Sequence, residues 1–346
     1  MAARCHILTP DAQYLDDGEV ERATAGPEFA FEIHRERSGD KIPNESFASC
    51  DALLIWHEVQ IDAALVQKLN RCRIIVRAGV GFDHVDLEAT GAAGIPVCNT
   101  PDYGTSEVAD HAIAFLLTLC RGIVSYQNAL LQDPVGGFAW GVAPLARRVR
   151  GMKFGVLGLG RIGTATALRA KGLGCQVLAY DPYVPRGQEI AVGVTRFDSL
   201  EEFLQACDVL SLHTPLTPET RGMIGKDAFA LMQPHALLIN TARGAVVDLE
   251  ALYEALKEKR IAGAALDVFP QELPDPTQVL WRAFKEQPEW LQGRLLLSPH
   301  AAWYSTESQY DARRLSVETV VIYLKRGELR NCVNQPYLRE PRPPVQ

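Results

Sequence analysis

Four features of this 346-residue chain carry groups suited to a single reaction. The loop Gly158-Leu159-Gly160-Arg161-Ile162-Gly163 follows the apolar run Phe154-Gly-Val-Leu157 and opens a segment of helical character. In that setting Gly158 permits a tight turn, Gly160 lets backbone approach a pyrophosphate, and Gly163 lets helix and strand pack closely. The helix N-terminus then faces the phosphates of a dinucleotide. Farther along stand Arg243, Glu272 and His300. A planar guanidinium suits bidentate capture of a carboxylate, and an imidazole beside a carboxylate carries a proton near neutral pH. The set suits hydride exchange between a dinucleotide and a 2-oxo acid.

A fifth group selects the cofactor. Asp181 closes the run Val177-Leu-Ala-Tyr180, about 20 residues beyond the loop, where an acid accepts hydrogen bonds from the adenine ribose. Its charge would repel the 2'-phosphate of NADP, and the next residues, Pro182 to Pro185, offer no cation. NAD is therefore the expected cofactor. A turn-initiating Asp-Pro is compatible with the same role.

These groups need a framework. Short β-type runs alternate with helix-type segments, the pattern of a parallel sheet with helices on both faces. Strands are expected at residues 6–9, 52–56, 74–77, 96–99, 153–157, 176–180, 209–213, 236–240, 263–267 and 294–297. Helices are expected at 106–121, 163–172, 199–207, 226–232, 248–259 and 307–326. Glycine turns follow two of the strands, at Gly79-Val80-Gly81 and at Gly158-Leu159-Gly160, which suggests two similar lobes. Breaks at Pro101, Tyr103-Gly104 and Ser298-Pro299 are the hinge candidates. The expected fold is α/β, with two Rossmann-like doubly wound parallel-sheet domains and a cleft between them. Residues 1–100 with 302–346 would form a discontinuous substrate domain, and 101–301 the NAD-binding domain. The segment from Asp275 to Gly293 would cover the active site, border a subunit or be a plain loop. The Pro-rich end from Arg339 is expected to fray.

Composition sets the class. The chain is 47% hydrophobic and 22% charged, within the range of folded globular proteins. A net charge of -7 argues against nucleic acid or an anionic membrane as partner, because both require a basic face. The eight cysteines form no C-x-x-C pair and read as reduced, buried thiols. No charged leader precedes a long apolar run, and the apolar stretch from Ile113 to Cys120 falls far short of the ~20 residues that span a bilayer. A cytoplasmic location is expected.

Five motifs occur in order: Val76-Arg-Ala-Gly-Val-Gly-Phe-Asp83, Gly158 to Gly163, Asn240-Thr-Ala-Arg-Gly-Ala-Val-Val-Asp248, Ala265-Leu-Asp-Val-Phe269 with Glu272, and Ser298-Pro-His-Ala-Ala-Trp303. From about Cys50 to Leu338 the chain resembles the D-isomer-specific 2-hydroxyacid dehydrogenases. Trp303, with Trp56-His57 and Asn331-Cys-Val-Asn334, is most similar to the C-terminal binding protein branch. The resemblance implies that Arg243 binds the substrate carboxylate, that His300 is the acid and base, and that Glu272 orients His300 and favours its charged form. Gln271 is a rival for Glu272. It also implies a carboxylate cradle at Arg77, Val80 and Gly81, walls at His57 and Trp303, and a nicotinamide side lined by His213, Thr214, Pro215, Thr241, Ala242 and Asp267. His213 has no companions at metal-ligand spacing, so no metal is expected.

Two functions follow from the resemblance. The first is an NAD-dependent enzyme that interconverts a 2-oxo acid and the D-2-hydroxy acid. The other is an NAD-sensing transcriptional corepressor with little turnover. Phosphoglycerate as substrate is disfavoured because no added domain follows residue 340, and formate is disfavoured by Glu272. Trp303, Phe82 and Tyr304 suggest a modest apolar or aromatic substrate side chain. The family resemblance further implies a homodimer formed through the cofactor domain, with the helix from Val108 to Cys120 contributing.

Overall fold

The computed structural model describes residues 5–273 and 275–345. Pro274 of the acid-bearing stretch, the last residue of the tail and the first four residues lie outside the described residues. The chain forms two compact units, one running to Gly104 and resuming at Tyr304, the other spanning Thr105–Trp303.

The first unit holds β1 (Cys5–Thr9), β2 (Phe29–Ile33), β3 (Ala52–Ile55), β4 (Ile74–Arg77) and β5 (Val97–Asn99) in one parallel sheet ordered β2-β1-β3-β4-β5. The second holds β6 (Lys153–Leu157), β7 (Gln176–Tyr180), β8 (Thr195–Phe197), β9 (Val209–Leu212), β10 (Leu237–Asn240), β11 (Gly263–Leu266) and β12 (Leu295–Leu297). This sheet is also parallel, in the order β12-β11-β10-β9-β6-β7-β8. Each unit is thus a doubly wound α/β fold. Interior strands are covered on both faces, so Leu238 enters one core cluster while Leu237 and Ile239 enter the other. Each such fully buried aliphatic side chain contributes about 1.5–3 kcal/mol.

Three expectations change. Strands β2 and β8 were not among those read from sequence, and both are sheet edges. Thr195-Arg-Phe197 is partly exposed throughout, so it lacks the apolar run by which interior strands are recognised. The segment after Asp275 contains the helix Val279–Glu286, started by Gln278, whose Oε1 accepts from the amides of Leu280 and Trp281 at 2.8 and 3.1 Å. Leu280 and Ala283 enter the core, and Trp281 lies 4.7 Å from Phe269, so this segment is packed structure rather than loop.

The tail does not fray. Arg342 donates to the carbonyls of Leu69, Cys72 and Ala93 at 2.7, 2.7 and 3.0 Å, and the Tyr323 hydroxyl donates to the Arg342 carbonyl at 2.6 Å. The last long helix, Thr306–Arg326, begins with a reciprocal Ser305–Ser308 cap and ends at Gly327, whose φ of 69° suits glycine. Its Arg313 is buried between Glu21 and Asp16, with nitrogen–oxygen distances of 2.6 to 2.8 Å, and lies over the Tyr14 ring.

Candidate active site

Strand register aligns the expected site residues of the second unit. Leu157, Tyr180, Leu212, Asn240, Leu266 and Leu297 form one row across six neighbouring strands. The residues that follow them are Gly158, Asp181, His213, Thr241, Asp267 and Ser298. The carboxyl edge of one sheet therefore presents the glycine loop, the ribose acid and the loops of Arg243 and His300. Strand order reverses between β6 and β9, and such switch points are where doubly wound sheets bind ligands.

The glycine loop sits at this switch point for steric reasons. Gly158 has φ +95°, and a Cβ there would lie 2.8 Å from the His213 carbonyl oxygen. A Cβ on Gly163 would lie 1.9 Å from the Gly158 oxygen, so the helix Arg161–Gly172 packs against the turn only with glycine at that point. At Gly160 a Cβ would meet nothing within 4 Å, and Gly160 and Arg161 are exposed. Ile162 is half-buried beside them. First-turn amides of a helix have no intrahelical acceptor, which suits this exposed end to phosphate.

Asp181 joins the loop to its own turn. One carboxylate oxygen accepts the Leu159 amide at 2.8 Å, and the other accepts those of Tyr183 and Val184 at 2.9 and 3.2 Å. The local sequence shows no cation next to Asp181, but the fold brings one: Arg196 on edge strand β8 donates to the Asp181 carbonyl at 3.1 Å. Its charge is shared with Glu189 at 3.7 Å and Asp198 at 3.4 Å.

His213 ends the β9 run, its amide donating to Leu157 at 2.8 Å and its Nε2 lying 2.9 Å from Ser211 Oγ. Burial drives its pKa down from 6.5 to about 3, so the ring is neutral. Thr214 and Thr241 follow β9 and β10, with exposed Pro215 and half-buried Ala242 next to them. Among the described residues, the hydroxyls of Thr214 and Thr241 are buried with no hydrogen-bond partner. Buried polar groups are rarely left so, and two of them on neighbouring strand ends fit a polar ligand there.

Arg243 is held by its turn. Asn240, fully buried, accepts the Ala242 amide at 3.0 Å and donates to the Arg243 carbonyl at 2.9 Å. The guanidinium is half-buried and donates to the Ala242 carbonyl at 2.7 Å. Gly244 is required next, since a Cβ would lie 1.9 Å from the Phe269 carbonyl carbon.

His300 and Glu272 meet directly. His300 Nδ1 is 2.7 Å from Glu272 Oε2, so Glu272 rather than Gln271 is the partner. A carboxylate only accepts, which places the proton on Nδ1 and leaves Nε2 for exchange. His300 has φ +53°, a conformation that non-glycine residues adopt at a cost. Asp267, fully buried, supports it. Its Oδ1 accepts the Ala301 amide at 2.9 Å and the Ser298 hydroxyl, its Oδ2 accepts the Ala302 amide at 2.9 Å, and its carbonyl accepts the His300 amide at 2.7 Å. Sequence places Asp267 on the nicotinamide side; the structure shows both carboxylate oxygens engaged on the His300 loop. His111, missed in the sequence, completes the network with Nε2 at 3.0 Å from Ser298 Oγ and 3.8 Å from Asp267. Trp303 closes this unit, half-buried.

In the first unit, Arg77 ends β4, buried, with Nη1 donating to the Ala78 carbonyl at 2.8 Å. The turn through Val80 and Gly81 is braced from β5, where Asn99 donates to the Val80 carbonyl at 2.7 Å and Thr100 to the Arg77 carbonyl at 3.0 Å. His57 rides a turn after β3 that Asp11 holds. The Asp11 carboxylate, fully buried, accepts the amides of Trp56, Glu58 and Val59 at 2.8, 2.9 and 3.2 Å. Burial raises its pKa.

Comparison with known proteins gives the same assignment. The chain is 33% identical to a D-3-phosphoglycerate dehydrogenase of Methanocaldococcus jannaschii over 95% of this chain but only 59% of that one, so it spans little more than half the length of that relative. It is 38% identical to a glyoxylate reductase of Korarchaeum cryptofilum over 88% of both chains. A D-lactate dehydrogenase from Aquifex aeolicus, solved with NAD and lactic acid, superposes with a TM-score of 0.78 at 30% identity, covering 92% of this chain and 95% of that one. Residues 113–302 match the family model described as D-isomer specific 2-hydroxyacid dehydrogenase, NAD binding domain. The chain therefore belongs to the D-isomer-specific 2-hydroxyacid dehydrogenase family and carries that family's NAD binding domain.

Proposed function

We propose that this protein is an NAD-dependent oxidoreductase that interconverts a 2-oxo acid and its D-2-hydroxy acid. One observation carries the reading: the His300–Glu272 pair, at 2.7 Å, stands on the carboxyl edge of an NAD binding domain, one loop away from Arg243. When bound, NADH supplies the hydride. His300 holds a proton at Nε2 for the carbonyl oxygen and takes it back in the oxidative direction. Glu272 fixes the ring through Nδ1, and Asp267 fixes the loop that carries it. Arg243 binds the carboxylate and polarises the adjacent carbonyl. For the first unit we propose carboxylate recognition at the turn from Arg77 to Gly81, with His57 contacting the substrate side chain; Trp303 is assigned the same role in the second unit.

The amides of the Gly158–Gly163 loop hold the pyrophosphate, and the unpartnered hydroxyls of Thr214 and Thr241 suit the nicotinamide end. Asp181 favours NAD over NADP. Arg196 does not reverse that choice, because it is already bonded to main-chain carbonyls and shared between two carboxylates. NADH oxidation assayed against glyoxylate, pyruvate, hydroxypyruvate and phenylpyruvate tests the proposal. Turnover with at least one of them is expected. NADH binding with no turnover on any would sink the enzyme reading and favour the recognition role of the C-terminal binding protein branch.

The dimer expectation moves along the chain. The apolar face of the helix Thr105–Arg121 is buried within its own unit against the helix Arg161–Gly172, so it is spent on folding. The next helix, Ile123–Gln132, and the segment after it expose Ile123, Leu131, Val135, Phe138 and Trp140, the last at 90%. An apolar run this exposed fits a second copy of the chain, and light scattering at twice the monomer mass is the expected result. The eight thiols are all free, which suits a cytoplasmic location.

A further inference from the structure

Cys98 and Cys332 are far apart in sequence and face each other in the first unit. They form an isolated antiparallel bridge, with the Asn99 amide donating to Asn331 at 3.2 Å and the Val333 amide to Val97 at 2.8 Å. Those bonds flank the two cysteines, which makes them a non-hydrogen-bonded pair, the kind with the closest side chains and Cα atoms about 4.5 Å apart. A disulfide needs Cα atoms about 4.4–6.8 Å apart. Cys98 is fully buried on β5, whereas Cys332 is half-buried on the return segment. A second close thiol pair, Cys50 and Cys72, is fully buried at both members and offers no such access.

We propose that Cys98 and Cys332 are a peroxide-responsive thiol pair, with Cys332 the sulfur attacked by oxidant and Cys98 the one that resolves it. In the first step the Cys332 thiolate attacks a peroxide oxygen. The S–O bond forms, the O–O bond breaks, and the departing hydroxide takes a proton to leave as water, giving the sulfenic acid. In the second step the Cys98 sulfur attacks Cys332; the S–S bond forms, the S–O bond breaks, and a second water leaves with the Cys98 proton. Two thiols lose two electrons and the peroxide gains them. The electrostatics agree with the order. The Cys332 thiol is drawn down to about 7, first by a hydrogen bond from Cys98 and further by backbone amides of Asn334 and Val97, against its partial burial. The same bond and burial hold Cys98 protonated. A thiolate that is accessible beside a resolving thiol is the arrangement of a redox-sensing pair.

The bond would fasten a strap that the structure already lays in place. Asn334 accepts the Val97 amide at 2.9 Å and donates to the Ile95 carbonyl at 2.9 Å, and Arg342 clamps the carbonyls beyond. Cys98 also lies one residue before Asn99, which holds the Val80 carbonyl of the cradle turn. Oxidation would thus lock the return segment to the strand that braces this turn.

The test uses the full chain, fully reduced and then treated with hydrogen peroxide. Non-reducing peptide mapping should show one linked pair, the peptides of Cys98 and Cys332, reversed by dithiothreitol. Thermal melting should shift upward on oxidation and return on reduction. Cys98→Ser, which keeps a donor to Cys332 but cannot form a disulfide, should stop at a Cys332 sulfenic acid that dimedone labels, and Cys332→Ser should show neither link nor label. A cross-link through other cysteines, direct conversion of Cys332 to sulfinic acid in the wild type, or no oxidation under conditions that fully oxidise a small-molecule thiol would overturn the proposal. The wild-type map decides even where a variant fails to fold.

Discussion

The molecule has two topological switch points, and they are used in opposite ways. In the second unit, strand order reverses between β6 and β9, and the turn there is glycine, exposed at Gly160 and continued by a helix N-terminus. In the first unit it reverses between β1 and β3, where Asp11 reaches across and fills the place an anionic ligand would take. Its carboxylate accepts the amides of Trp56, Glu58 and Val59, a turn buried at Trp56 and Val59. The same topology thus makes a dinucleotide site in one unit and a self-capped turn in the other. The difference lies in whether a glycine or a carboxylate stands at the strand end.

Substitution can break that comparison. The largest effect is expected in the unit with the open switch point, at the loop that follows its edge strand β12. His300→Asn should lower kcat about 10²- to 10⁴-fold, the range for loss of a positioned acid or base. NADH affinity, measured by fluorescence titration, should stay unchanged; a parallel loss of binding would show that His300 holds the cofactor instead. Next comes the closed switch point. Asp11→Ala strands three amides and should reduce stability to urea by about 2–4 kcal/mol, from roughly 1 kcal/mol per lost hydrogen bond plus the desolvation left behind. NADH affinity should again be unaffected. If it fell as far as in a glycine-loop variant, the two switch points would not be separable.

Smaller effects separate the two glycine turns. Gly163→Ala forces a methyl to within 1.9 Å of a backbone oxygen, and strain of about 1–3 kcal/mol should weaken NADH binding about 10- to 100-fold. Gly79→Ala instead meets the Arg77 guanidinium, the far end of a side chain rather than backbone. It should raise KM for the 2-oxo acid while leaving NADH affinity alone, and equal effects on both ligands would erase the distinction between the turns.

The effect that is smallest at neutral pH, and grows on acidification, comes from titration. His213 has a pKa of about 3 in the folded protein against 6.5 when solvated. Between those values the unfolded chain binds more protons, so stability rises with pH, by up to about 1.4 kcal/mol per unit for this one group. The wild type should lose stability as pH falls from about 6.5, and His213→Gln should flatten that slope. An unchanged slope would mean that His213 is not the group responsible.

Much of this was legible in sequence where one segment carried all the information. The glycine loop with Asp181 could be read locally, because a turn, a helix start and a strand-end acid each follow from neighbouring residues. Interior strands could be read because burial on both faces demands an unbroken apolar run. Edge strands β2 and β8 could not, since exposure removes that demand. Pro-rich composition suggested a frayed tail, yet the carbonyls that Arg342 clamps come from loops gathered by the sheet.

The amino-acid sequence by itself determined the chemistry available: a dinucleotide loop, an arginine suited to a carboxylate, and a histidine with its acid. Only tertiary structure decided what holds that chemistry in place. Asp267 serves the loop that bears His300, His111 reaches Ser298 from 187 residues away, and Asp11 caps a turn 45 residues downstream. A carboxylate's partners depend on which amides converge on it, and convergence is set by strand order and register, which no single stretch of sequence contains.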